Sequence, residues 1–597
     1  MKNMDKFISK EDSDLCNDLI KLSSDAIIEA QEFVRGKNDV SSVSLREIRR
    51  FSIFYEFFVD YFLNNKKIFE KMDQNESFIK VDDFYKNLTK SEIYRHSIKL
   101  SIYLCYYMRL ISQEFRGQLA AKMNKIFGDN FIEIPEHEQQ FIAGNIELGV
   151  GIAKNRALLE NLFTLFSCIN AKIPLFIVGK PGCSKSLSVQ LLFKAMQGDA
   201  SDNFLFKSLP KLFINAFQGS LGSTSKGVLN IFKTARNILN NNDKNLDKII
   251  SMIYFDEMGL AEHSPNNPLK VIHSELEYDL NEGSKKIAFV GISNWVLDAS
   301  KMNRGLFLSI PPPDQKDLEA TALTIAESYN EKLAKDNIDL FKALANTYHD
   351  YKEELKTKYT INEDFHGSRD FYHLIKTAMR ILLKKISEDY DLIIDENVKQ
   401  EIGIISIERN FAGLEIKTGS QKSISSLEII KGIFKKYFKN CDTSKNYKVL
   451  QTIYDNIKDK DSRYLLLVAK SSISNYLLNS ILTSPEFKKD INKELSFYIG
   501  SGFYADIHSE GYGLKILNKI QLQMEQNKIL LLSDLEAMYP SLYDLFNQNF
   551  TVVSKKNYAR IAMGSTNNTF SLVNDGFKCI VLVNEKDLEQ EKGFFLK

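Results

Sequence analysis

Three stretches within the first 130 residues carry apolar side chains at three-to-four spacing: DLIKLSSDAIIEAQEFV, SLREIRRFSIFYEFFVDYFL and EIYRHSIKLSIYLCYYMRLI. That period lays one apolar stripe along each segment and predicts a helical N-terminal region. Ser44 precedes the second helix and Glu47 follows three residues later, the pattern of a capping box. Phe51, Phe54, Tyr55 and Phe58 crowd one face of it and are expected in the core. Past residue 170 the pattern changes. IPLFIV (Ile173–Val178), IISMIYF (Ile249–Phe255) and KIAFVGI (Lys286–Ile292) are short, nearly continuous apolar runs. Runs of that kind predict strands buried on both faces of a parallel sheet, hence an α/β fold. After Pro311–Pro313 helical periodicity returns to about Asn440, with LKTKYTINEDF and LEIKTGSQKS expected as loops. From Tyr447 a weak repeat of the strand pattern begins.

The loops after these strands carry the chemistry. Gly179, Lys180, Pro181, Gly182, Cys183, Ser184, Lys185, Ser186 and Leu187 follow the first strand and open a helix, SLSVQLLFKAM. In that geometry backbone N–H groups and the helix N-terminus converge on one spot and stabilise an anion. Lys185 is expected to reach the β- and γ-phosphates of ATP, and the Ser186 hydroxyl to ligate Mg²⁺. Ser184 stands where the usual G-x-x-x-x-G-K-[ST] pattern has its second glycine, which it suits if φ there is negative. Cys183 is expected as a small loop filler. The second strand ends in Asp256 and Glu257: Asp256 is expected to hold Mg²⁺ through water, Glu257 to deprotonate the attacking water. Open parallel sheets bind ligands at the carboxyl ends of their strands, where both motifs fall. Asn294 follows the third strand, suited to the γ-phosphate or the lytic water, and Arg304 comes ten positions later.

In this order Asn294 and Arg304 look like sensor 1 and the arginine finger of an AAA+ ATPase, the finger acting in trans. Arg369 in FHGSRDFYHLIK resembles the sensor 2 arginine of an AAA+ lid. Longer stretches resemble one family, mysterin, a giant AAA+ RING-type E3 ubiquitin ligase: GIAKNRALLENLF, IPLFIVGKPGCSKSL, DEMGLAEHSPNNPLKVIH, FVGISNWVLDASKMNRGLF and GSRDFYHLIK. The P-loop of that family's corresponding module looks like GKPG-x-SKS, serine included. The resemblance implies AAA+ P-loop domains with helical lids, ATP and Mg²⁺ as ligands, neighbouring AAA+ modules as partners and a link to ubiquitin machinery.

Composition narrows the field. A net charge of +1, from 78 basic and 77 acidic residues, gives no electrostatic case for nucleic acid or a membrane surface. The six cysteines are scattered without C-x-x-C pairs, so no zinc RING is expected in this chain and reduced, cytoplasmic thiols are. The N-terminus lacks the apolar core of a signal peptide, and no membrane span is expected, since Lys99 and Arg109 interrupt the most apolar run.

The expected domains are residues 1–131, the lid of a preceding module whose nucleotide domain lies outside this chain; 132–310, a competent AAA+ α/β domain; 311–445, its helical lid; and 446–597, a second, degenerate and incomplete α/β domain. In the last, DSRYLLLVAKSSIS keeps Lys470 and Ser471 but no loop glycine, so it is unsuited to wrap a triphosphate. SDLEA splits Asp534 from Glu536; because consecutive strand residues face opposite ways, D-x-E does not place its carboxylates as D-E does. No arginine follows its sensor strand, so slow turnover is expected of the isolated chain. Two functional classes remain at this stage: an ATP-hydrolysing motor segment, favoured by Glu257, and a scaffold that binds ATP without turnover. A dynein- or midasin-type remodeller is a further alternative.

Overall fold

The structure is a computed structural model that describes residues 13–37, 43–71, 83–220, 222–278, 286–358, 366–388, 393–413, 415–417, 423–438, 449–460, 462–469, 473–485, 487, 491, 493–507, 509–553, 556–563 and 567–584. The chain divides into two compact units: residues 1–149 with 154–312, and residues 150–153 with 313–597.

The first unit is built on a five-stranded parallel sheet. Its strands are β1 (Leu175–Val178), β2 (Lys211–Gln218), β3 (Ile249–Asp256), β4 (Ala288–Ser293) and β5 (Leu306–Ser309), in the order β2-β3-β4-β1-β5. Every residue of β1, β3 and β4 is buried, as their unbroken apolar runs demand. On one face Phe176, Ile253 and Phe289 pack with Val228 and Phe232 of the helix Ser225–Asn241. The parallel register aligns Val178 with Ser293 and Phe255 with Gly291, so β1, β3 and β4 end side by side.

The N-terminal helices belong to the same unit. Ser44 starts the helix Leu45–Lys71 much as expected: its N–H donates to Glu47 Oε2 at 2.6 Å, while its hydroxyl oxygen accepts from the Arg46 N–H at 3.2 Å. Glu47 does more than cap. It is buried and also takes Arg50 and Arg109, the latter at 2.9 Å. Phe51, Phe54, Tyr55 and Phe58 are all buried, as the pattern implies. A second buried ion pair fastens this region to the sheet. Arg116, on the helix Gln113–Phe127, donates to both Glu160 oxygens at 2.9 and 3.0 Å, to the Leu110 carbonyl at 3.0 Å and to the Ser309 carbonyl closing β5 at 2.7 Å.

In the second unit five helices (Gln315–Tyr329, Ile338–Lys358, Ser368–Glu388, Glu396–Phe411 and Ser426–Phe434) share a core that includes Leu344, Tyr351, Phe371 and Phe434, and Ala153 joins it. One expected loop is different: Glu415–Lys417 and Ser423–Ser425 pair as a short antiparallel hairpin, with Ile416 buried against that core. A four-stranded parallel sheet follows, of β6 (Leu465–Ala469), β7 (Glu494–Ile499), β8 (Lys528–Ser533) and β9 (Lys578–Asn584), in the order β6-β9-β8-β7. This repeats β1-β4-β3-β2 of the first sheet. Between β8 and β9 an antiparallel meander, Thr551–Val553, Lys556–Met563 and Asn567–Val573, is inserted.

Removing one partner of a fully buried ion pair leaves the other charge uncompensated. Arg116→Ala is therefore expected to destabilise the first unit by about 3–5 kcal/mol, read as a lowered thermal midpoint. A shift equivalent to less than about 1 kcal/mol, the range of an exposed ion pair, would show that Arg116 is not fastening the helices to β5.

Candidate active site

β1 ends at Val178, and the next residues turn back sharply. The Gly179 N–H donates to the Ser293 carbonyl at 3.3 Å, which ties the loop to the end of β4. Gly182 has φ 92 and Ser184 has φ 57, ψ 18, after which the helix Lys185–Ala195 begins. The expectation of a negative φ at Ser184 is thus overturned: a left-handed residue is needed here, and serine accepts the cost. Cys183 is buried, and its carbonyl accepts from Asn161 Nδ2 at 2.8 Å. Asn161, wholly buried on the helix Arg156–Asn170, went unselected from the sequence. The available signal was a short polar side chain within the apolar run LLENLFTLF.

Lys185 is 6% exposed. Its ammonium donates to the Gly179 carbonyl at 2.5 Å, the Lys180 carbonyl at 3.0 Å and Asn294 Oδ1 at 3.0 Å. Asn294 in turn donates from Nδ2 to both Glu257 oxygens, at 3.1 and 3.3 Å. Lys185, Asn294 and Glu257 thus form one hydrogen-bonded chain across the carboxyl ends of β1, β4 and β3. Asp256 is 1% exposed and accepts the Glu257 N–H at 3.0 Å. Ser186 and Leu187 lie half-buried in the first turn of the helix; Lys180 is exposed and Pro181 half-buried in the loop.

Glu257 also has left-handed backbone, φ 50 and ψ 45. Gly219 makes that turn feasible. Its N–H donates to the Asp256 carbonyl at 2.8 Å, and a Cβ at 219 would stand 2.2 Å from the Glu257 carbonyl oxygen. Only a residue without a side chain tolerates that approach.

Arg304 is engaged elsewhere: Nε donates to His273 Nδ1 at 2.9 Å and Nη1 to the His273 carbonyl at 3.3 Å. The preceding residue is also held, since the Asn303 carbonyl accepts from Arg50 Nη2 at 2.8 Å. Arg369 belongs to the second unit, where it donates to Asn547 Oδ1.

The second sheet permits a comparison strand by strand. Ser533 pairs with Leu582 as β8 ends, and Gly500 donates to the Ser533 carbonyl at 2.8 Å, as Gly219 does to Asp256. Asp534 has φ 57, and a Cβ at Gly500 would stand 1.5 Å from its carbonyl oxygen. Asp534 thus occupies the backbone position of Glu257, Ser533 that of Asp256 and Asn584 that of Asn294. The reading of Asp534 and Glu536 as a split strand pair is corrected accordingly: Asp534 lies past the strand, in a turn, and the position of Asp256 is taken by Ser533. Lys470 and Ser471 lie outside the described residues.

A parallel sheet in this order, a glycine loop opening a helix and adjacent carboxylates at a strand end define an AAA+ P-loop fold. Family models described as RNF213 AAA domain match residues 151–317 and 454–597. The chain is 33% identical over 549 residues to E3 ubiquitin-protein ligase rnf213-beta of Danio rerio, covering 90% of this chain and 10% of that one. To E3 ubiquitin-protein ligase RNF213 of Homo sapiens it is 32% identical over 593 residues, covering 95% and 10%. The Mus musculus protein of the same description is 30% identical over 580 residues, covering 95% and 10%. The chain belongs to the mysterin family, as an AAA+ segment, and spans about a tenth of the length of these relatives. Among the described residues no helix is long and apolar enough to cross a membrane.

Left-handed backbone costs a non-glycine residue about 1–2 kcal/mol. Ser184→Gly should recover part of that, raising stability by up to about 1 kcal/mol after the extra chain entropy of glycine. A lowered thermal midpoint would mean that the serine side chain contributes more than its backbone strain costs.

Proposed function

We propose that this chain is an ATP-hydrolysing AAA+ motor segment with one competent site, formed by the Gly179–Leu187 loop, Asp256, Glu257 and Asn294. The supporting observation is the Lys185–Asn294–Glu257 hydrogen-bonded chain, which links the phosphate loop to the strand-end acid. The residues fit the ligand. A buried ammonium held by carbonyl and amide oxygens at the mouth of a glycine loop has the charge and location for the phosphates of ATP. Ser186 and Asp256 are the hydroxyl and carboxylate that would hold Mg²⁺, which screens phosphate charge when bound. Glu257, held by the Asn294 amide, is the group to accept a proton from water.

In this reading residues 1–131 are the lid of a preceding module, 132–310 the competent nucleotide domain, 311–445 its lid and 446–597 a degenerate nucleotide domain that serves as a partner surface. Ser533 in place of Asp256 supports the last assignment, because a serine hydroxyl is a far weaker Mg²⁺ ligand than a carboxylate. Arg304, anchored by His273, serves a neighbouring module as a finger, and Arg369 serves as sensor 2. The relatives are described as E3 ubiquitin-protein ligases. We place this segment within such a ligase as its motor, in the cytoplasm, with ubiquitin transfer performed by other parts.

Lys185→Ala should abolish binding of a fluorescent ATP analogue, whereas Glu257→Gln should retain it and lower turnover about a hundredfold or more. Turnover equal to that of the parent in Glu257→Gln would remove Glu257 from the chemistry. Undiminished analogue binding in Lys185→Ala would remove the loop.

A further inference from the structure

One buried amide beside the candidate site is unsatisfied. Gln218 closes β2 and is 3% exposed. Among the described residues it is the one buried side chain whose donor and acceptor, Nε2 and Oε1, both lack a hydrogen-bond partner. The sheet fixes its place. Phe213 and Phe217 of β2, like Ile253 and Phe255 of β3, pack on the core that includes Val228 and Phe232. Strand alternation therefore puts Gln218 and Asp256 on the opposite face, and the parallel register pairs these two residues directly. The next peptide is locked as well, since the Gly219 N–H donates to the Asp256 carbonyl at 2.8 Å. The unsatisfied amide thus lies next to the carboxylate assigned to Mg²⁺, on the same side of the sheet.

Burying an amide with neither end paired is unfavourable, so such a group answers either a structural need or a ligand. The second sheet argues against the structural need. There Ile499 pairs with Ser533 in the corresponding register, and Gly500 and the left-handed Asp534 follow as Gly219 and Glu257 do. Ile499 is 44% exposed. A strand end of this geometry therefore closes with an aliphatic side chain in place of the amide. Amide and carboxylate are present together in the first sheet and absent together in the second, where the Ser533 hydroxyl accepts from Asn475 Nδ2 at 3.1 Å. An amide beside a carboxylate suits Mg²⁺, which keeps several of its waters when bound and so offers protons to nearby acceptors. Groups in that outer layer tune metal affinity without touching the ion.

We propose that Gln218 is a positioning residue of the Mg²⁺ site: its Oε1 accepts from a water that hydrates the ion beside Asp256, which strengthens the hold on Mg²⁺ and, through it, on ATP. The assignment rests on the ATPase reading of the Lys185 loop. The test uses the full chain, its Gln218→Met and Gln218→Glu variants, and a fluorescent non-hydrolysable ATP analogue, bound first in EDTA and then in excess Mg²⁺. The gain in analogue affinity from EDTA to Mg²⁺ should fall about tenfold or more in Gln218→Met, with affinity in EDTA unchanged. Gln218→Glu keeps an acceptor oxygen at the position and should retain the gain. In metal-free buffer Gln218→Met should melt at or above the parent, because an unpaired amide has been removed. A parental gain in a folded Gln218→Met variant overturns the assignment, whatever its turnover, and so does loss of the gain in Gln218→Glu. Should Gln218→Met not fold, Gln218→Ile, with the side chain that the second sheet carries, is read by the same criteria. Failure of the ATPase reading is separately visible: the parent then binds the analogue no better than Lys185→Ala does.

Discussion

The left-handed turn after β3 constrains everything around the candidate site. Glu257 can leave the strand at φ 50 because Gly219, across the β2–β3 register, presents no side chain to its carbonyl. That turn aims the carboxylate along the strand ends, where Asn294 reaches it from β4 and Lys185 reaches Asn294 from the loop after β1. A Cβ at 219 would move the carbonyl, the turn and then the acid. The same glycine-to-turn contact recurs between Gly500 and Asp534 in the second sheet, where the residue before the turn is Ser533. The same backbone device is thus present both with a pair of carboxylates, in the first sheet, and without one, in the second.

Much of the site was legible because its determinants are local. A buried parallel strand needs an unbroken apolar run, a phosphate loop needs glycine, and the acids follow directly from the strand; each signal lies within ten residues. What escaped depends on residues far apart in the chain. Ser184 was expected at negative φ because serine prefers it, but the loop must pass from Gly182 into a helix while the Cys183 carbonyl meets Asn161, and that geometry prevails. Asp534 was read as a strand residue because strand β8 and its ending could be fixed only by the register against β7 and β9. The N-terminal helices were readable one by one; their attachment by Arg116 to the end of β5 spans 193 residues and leaves no local trace.

The two units also dispose of buried charge differently. In the first, Arg116 is matched by Glu160, while Arg50 and Arg109 share the single carboxylate of Glu47. Arg50 keeps its charge although burial pulls its proton affinity down to about 10. In the second, Lys431 is matched by Glu408 and Arg560 by Asp544, while buried Lys578 is held by the Asp459 and Ser462 carbonyls and the Ser462 hydroxyl. Matched buried pairs are what a purely architectural role requires.

The bond from Arg50 to the Asn303 carbonyl bears on mechanics. Arg50 belongs to a long helix whose first turn is pinned by Glu47 to Arg109, and the carbonyl it grips is one residue before the guanidinium held by His273. Helix and turn are thus joined by stiff parts, with a guanidinium as the rivet. A tilt of the helix that carries Arg50 would therefore bear on the Asn303 carbonyl, one residue from Arg304.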